Sequence, residues 1–142
     1  MATQSKAIKK DAVLSIDTDY ITQMFLRKKL KHNNYVPFLA TNCIQGLKFL
    51  ETEKQIKVVV LDLKYPTKEW VTFLKQLKFT PLASPFTVYI TNCKSEEAFF
   101  QKLETNQIDK NLIGGFLEVP LDIELTIKKI TGFLRGDDAT TV

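Results

Sequence analysis

Lys57-Val58-Val59-Val60-Leu61-Asp62 is the stretch on which the fold turns. Its four apolar residues run without a polar partner, as expected of a strand buried on both faces inside a parallel sheet. The acid that closes the run stands where such a strand emerges from the sheet. Toward the N-terminus, Ala12–Ile16 forms a second apolar run that also ends on acids, Asp17 and Asp19. From Asp19 to Lys31 the spacing predicts a helix with Ile21, Met24, Phe25 and Leu30 on its inner face. Tyr35–Leu39 follows as a strand, and Pro37 places it at a sheet edge. Asn42 is the expected cap of a helix carrying Ile44, Leu47, Phe49 and Leu50 inward.

Toward the C-terminus the alternation continues. Pro66 closes a loop, and Trp70, Phe73, Leu74 and Leu77 form a helical stripe. Pro81 and Pro85 mark the loop before a strand at Phe86–Ile90. Ser95 caps a helix to about Leu103, with Glu96 and Glu97 in its first turn. Gly114 and Gly115 precede a fifth strand at Phe116–Glu118. After Pro120, Asp122 caps a last helix with Ile123, Ile127, Ile130 and Phe133 inward. Five strand–helix units in strict alternation predict an α/β fold, a five-stranded parallel sheet with helices on both faces. The domain is expected over 12–134, with a disordered lead-in at 1–11 and a short tail at 135–142.

The 142 residues are 44% apolar and 25% charged, which suits one folded domain and excludes the disordered class. No apolar run is long enough to span a bilayer, and no secretory signal precedes Ala12. A cytoplasmic location is expected. Cys43 and Cys93 are expected to be free thiols, and with His32 the only histidine, a zinc site is excluded. The net charge is +4, with basic groups at Lys9–Lys10 and Arg27–Lys31. No aromatics interleave them as stacking on single-stranded nucleic acid requires, so they read as solvated helix face, and neither nucleic acid nor membrane is an expected partner.

In parallel sheets, ligands bind at the carboxyl ends of the strands. There the sequence places Asp17, Thr18 and Asp19, then Asp62, then Thr91 and Asn92, then Glu118, Val119 and Pro120. No glycine-rich phosphate loop follows the first strand, and no Ser/His/Asp set exists. Two carboxylates on neighbouring strands suit a hard cation or perturb one another's protonation. A carboxylate beside such a cation can also accept a phosphoryl group.

Several separated segments resemble the response-regulator receiver domain of two-component signalling, a flavodoxin-like (βα)5 fold. The resemblance runs from about Ala12 to Leu134. Val13-Leu14-Ser15-Ile16-Asp17 resembles the family's first strand, and Val58-Val59-Val60-Leu61-Asp62-Leu63 the strand bearing the phosphoacceptor, with Pro66 as the loop proline. Val88-Tyr89-Ile90-Thr91 resembles the strand ending in the switch hydroxyl, and Phe116 falls at the switch aromatic. The resemblance implies phosphorylation at Asp62, a phosphoryl contact from Thr91 and a moving ring at Phe116. It also implies Mg²⁺ held by Asp17, Asp62 and the Lys64 carbonyl.

The sequence departs from that pattern at two decisive places. Thr18 stands where the family has a second acid, and Val119 stands where it has a lysine. The first removes an anionic ligand from a cation site; the second removes the cation that stabilises charge on the transferring phosphoryl group. Losing both should cost several kcal/mol at the transition state, given about 3–4 kcal/mol for one electrostatic donor. Asn92 replaces a small residue, Glu69 and Trp70 replace an Asp-Gly pair, and Glu118 adds repulsion. Mg²⁺ binding is therefore expected to be weak or absent.

The expected function is that of an atypical, pseudo-receiver domain in signal transduction, not an enzyme, working by protein–protein contact with impaired aspartyl phosphorylation. The expected surface is formed by the fourth helix, fifth strand and last helix, including Phe99, Lys102, Phe116 and Lys128. The alternative is a functional single-domain response regulator phosphorylated on Asp62 by a histidine kinase in a Mg²⁺-dependent reaction. A small hydrolase fits less well, because only Asp17 stands near Asp62 as a base. No effector domain is expected after the tail, whose Thr140-Thr141-Val142 end matches a PDZ-type carboxylate pattern.

Overall fold

Val58, Val59 and Leu61 are fully buried and Val60 nearly so, as a strand without a polar face requires. The computed structural model describes residues 10–79, 86–118 and 122–136. Its strands are β1 (Ala12–Ile16), β2 (Val36–Ala40), β3 (Ile56–Asp62), β4 (Thr87–Thr91) and β5 (Ile113–Leu117). Between and after them come helices α1 (Tyr20–His32), α2 (Cys43–Thr52), α3 (Thr67–Gln76), α4 (Glu96–Thr105) and α5 (Ile123–Leu134). The strands form one parallel sheet in the order β2-β1-β3-β4-β5. The order reverses between β1 and β3, which defines the crevice where doubly wound sheets bind ligands. Pro37 lies on β2, at the sheet edge, where its missing N–H breaks no interior ladder.

Strand alternation divides the core in two. Leu14, Ile16, Val59, Leu61, Val88 and Ile90 pack against α2, α3 and α4, including Trp70, Phe73 and Phe99. Val13, Val58, Val60, Tyr89 and Leu117 pack on the opposite face with Leu26 and Leu30 of α1 and Ile127 and Ile130 of α5. Among the described residues, no helix is long and apolar enough to cross a membrane.

The structure corrects several element-level expectations. Helix α1 turns Gln23, Leu26 and Leu30 inward and leaves Ile21 and Phe25 exposed by 65% and 62%. The cause is Gln23, whose Nε2 donates to the Ser15 and Ala40 carbonyls at 3.1 and 3.0 Å and ties the helix to β1 and β2. On α2, Cys43, Gly46 and Leu50 face inward, and Ile44 is exposed. On α5, Thr126 joins Ile127 and Ile130 inside, while Phe133 lies largely outside. Strand β5 begins at Ile113 and contains both glycines rather than following them. A Cβ on Gly114 would collide with the Thr87 hydroxyl, so β5 approaches β4 only because no side chain is there. Asp11, assigned by sequence to the lead-in, accepts the Val36 N–H at 3.0 Å. Residues 1–9, Pro81, Pro85, Val119, Pro120 and the Thr140-Thr141-Val142 end lie outside the described residues.

Candidate functional site

Parallel register brings the strand-end residues together. Ile16 pairs with Leu61, so Asp17 and Asp62, one step further on, are neighbours across the crevice. Asp62 pairs directly with Thr91. Asp17, Asp62 and Thr91 also share one alternation phase with Val13, Val60 and Tyr89, the side covered by α1 and α5. The three residues singled out by sequence are therefore assembled at one end of the sheet.

Asp62 is 1% exposed, and its two oxygens have different surroundings. Oδ1 accepts the Lys64 N–H at 2.9 Å and the Asn92 Nδ2 at 2.6 Å. Oδ2 accepts from no N–H or hydroxyl, and the Thr91 hydroxyl, which is 4% exposed, has no partner. Buried polar atoms rarely stay unpaired. These two groups sit on paired residues of adjacent strands; the carboxylate oxygen can take a cation or a hydrogen-bond donor, and the hydroxyl can donate or accept. No ion pair among the described residues involves Asp62.

Asp17 is half-buried and accepts the Asp19 N–H at 2.8 Å. Burial raises its pKa to about 6, the Asp19 N–H opposes that shift, and the hydrogen bond and charge of Asp62 add to it. Asp19 caps α1, accepting from the Ile21 and Thr22 N–H groups and from the Thr22 hydroxyl, which lowers its pKa. It is a helix cap, and Thr18 between the two acids is exposed. Lys64 is exposed as well.

Two carboxylates and a backbone carbonyl match the oxygen donors that Mg²⁺ takes. Asp17 and Asp62 are the side chains in this pocket that would hold such an ion. The fit is incomplete, since Asp62 Oδ1 already accepts two N–H donors. No cluster of three or more His, Cys, Asp or Glu exists among the described residues.

Phe116 on β5 is half-buried and meets Phe99 and Phe100 edge-on at 5.7 Å. Lys129 of α5 donates its ammonium to the Phe116 carbonyl at 3.1 Å, joining α5 to the end of β5. The Phe99 ring also stacks on Trp70 at 5.2 Å and is 4% exposed. Phe99 therefore belongs to the core and not to the exposed surface expected from sequence. Lys102 and Lys128 are exposed. Trp70 is the core anchor of α3. Burial raises the pKa of Cys43 to about 11, so its thiol stays protonated; Cys93 is half-buried and shifted the same way.

Sequence reasoning missed the contact from Asn92 to Asp62. The signal for it was the residue type. Asn92 sits at φ 60, a left-handed conformation that asparagine adopts more readily than most residues. That turn of the backbone, directly after Thr91, accompanies the side-chain bond to Asp62.

A five-stranded, doubly wound sheet with a carboxylate crevice at β1, β3 and β4 is a flavodoxin-like architecture. More narrowly, it is the receiver-domain fold, as the comparison with solved structures shows. One chain of the co-crystal structure of the Saccharomyces cerevisiae histidine phosphotransfer protein Ypd1 and the receiver domain of its downstream response regulator Ssk1 is similar at TM-score 0.71 and 17% identity. That match covers 93% of this chain and 94% of the other. The response-regulator receiver domain of Bermanella marisrubri matches at TM-score 0.70 and 18% identity, covering 89% and 99%. The receiver domain of the Francisella response regulator 1452 matches at 0.66 and 22%, covering 90% and 100%. No family model and no curated protein sequence matches the chain.

Proposed function

We propose that this chain is an atypical receiver domain in two-component signalling, acting through protein contact, with phosphorylation of Asp62 impaired or absent. The donor set around Asp62 carries this reading. A buried carboxylate that must receive a phosphoryl group is held here by a peptide N–H and a neutral amide. Thr18 brings no charge to the cation site, and the valine at 119 offers no cation to the phosphoryl oxygens. The yeast co-crystal structure joins a histidine phosphotransfer protein with a receiver domain, which supports a signalling protein of that kind as partner. The contact surface on this reading is the face of α4, β5 and α5, where Lys102 and Lys128 are exposed and Phe116 is half-buried.

Orphaned Asp62 Oδ2 and Thr91 Oγ1 favour a second reading, a regulator that is still phosphorylated. In that reaction Asp62 Oδ2 bonds to phosphorus as the donor's P–O or P–N bond breaks. One experiment separates the two. The protein is incubated with acetyl phosphate and millimolar Mg²⁺, and followed by intact mass and by phosphate-affinity gel. The atypical reading expects a rate at least about a hundredfold below that of a receiver with the full acid and lysine set. Stoichiometric, Asp62-dependent phosphorylation would overturn it.

A further inference from the structure

Asn92 is marked by the sequence pattern only as a departure from a small residue, and its contact with Asp62 deepens the proposed reading. Its amide donates to Asp62 Oδ1 at 2.6 Å, the shortest of the contacts to that carboxylate. The Lys64 N–H takes the same oxygen from the chain's own loop. One carboxylate oxygen thus receives two donors while its twin, equally deep, receives none. A carboxylate oxygen with two N–H groups aimed at it has little capacity left for a cation.

We infer that Asn92 is an internal latch on Asp62: its amide occupies the carboxylate oxygen that a cation would otherwise share. The inference rests on the reading of Asp62 as a receiver-type acceptor. It adds a cause located in this chain's own residues, separate from the changes at Thr18 and Val119. The backbone supports it. Asn92 is fixed at φ 60 immediately after Thr91, within a strand end whose Thr91 carbonyl accepts the Leu63 N–H at 3.0 Å. The latch is therefore mounted on the same rigid junction that presents Asp62. The amide also satisfies one oxygen of a buried acid with a hydrogen bond.

The test is Asn92→Gly, which keeps the left-handed backbone and removes the amide. Mg²⁺ is titrated into wild type and variant, with Trp70 fluorescence and the backbone amides of Asp62 and Lys64 as readouts. Release of one hydrogen bond to a charged oxygen should tighten Mg²⁺ by about tenfold or more in the folded variant. A gain under about twofold, including the case in which neither protein binds Mg²⁺, overturns the latch. Wild type supplies an independent measurement should the variant not fold. Its Asn92 side-chain NH₂ should show one proton slow to exchange, and an amide exchanging like that of free asparagine overturns the latch. The ratio between variant and wild type judges the latch. The absolute phosphorylation of wild type judges the proposed function, so the two can fail separately.

Discussion

Asp17 shows how a single side chain reports on the pocket. Its pKa rises from 3.8 to about 6, chiefly because burial disfavours the charged form. Between those two values the folded state binds more protons than the unfolded chain. Stability from this group is therefore fully present below pH ~4 and is lost as pH rises through about 6. Asp17→Asn removes the titration and keeps an oxygen to accept the Asp19 N–H. In metal-free buffer, the variant's advantage over wild type in urea unfolding should grow as pH rises from about 4 to about 6 and stay constant above. A pH-independent difference would show that Asp17 is not held in this environment. The strand-end acids were legible because β1 and β3 end visibly in Asp17 and Asp62. Asn92 was not legible, because its role depends on the register of β3 against β4 and on a left-handed turn after Thr91.

Elements were read best where only one packing solution existed. Strand β3 has no polar face, and α3 carries one apolar stripe of Trp70, Phe73 and Leu74, all buried. Helix α1 has two competing stripes, and the residues on the wrong one, Ile21 and Phe25, looked the more apolar. The choice was made by the buried amide of Gln23, which reaches carbonyls of β1 and β2 that are distant in sequence. Two helical glycines make the same point with opposite signs. A Cβ on Gly46 would lie 2.5 Å from Cδ1 of the fully buried Ile16, whereas a Cβ on Gly132 meets nothing within 4 Å. Gly46→Ala should destabilise by about 1–3 kcal/mol through overpacking. Gly132→Ala should stabilise by about 0.5–1 kcal/mol through helix propensity. Thermal or urea unfolding checks both, and equal signs would contradict the packing described for α2 against β1.

At the scale of the whole molecule, the question is which face meets a partner. On the α4–β5–α5 face, Phe99 is core, so Lys102, Lys128 and the half-buried Phe116 remain to make contact. Apolar exposure is larger on α1, where Tyr20, Ile21 and Phe25 are 71%, 65% and 62% exposed. Scattered exposed apolar residues are ordinary, but three on one short helix form a competing surface. Titration of the ¹⁵N-labelled protein with a histidine phosphotransfer protein of the same source decides. The proposed face predicts amide shifts at Lys102, Phe116 and Lys128. Shifts confined to Tyr20–Phe25 would move the contact to α1.

The sequence by itself determined the α/β class, the parallel sheet and the acids at its strand ends. Those features follow from local properties: apolar runs of strand length, capping residues and turn-forming prolines recur along the chain in order. It also determined that positions 18 and 119 carry no charge, since Thr18 and Val119 are identities and not geometries. Only the tertiary structure decided which oxygen of Asp62 is occupied, which face of α1 is buried and that Phe99 lies in the core. Each of these depends on contacts between residues far apart in sequence, Asn92 with Asp62, Gln23 with Ala40, and Phe99 with Trp70. Hydrogen-bond direction and ring packing act over a few ångströms, so they are set only once the sheet has brought those residues together.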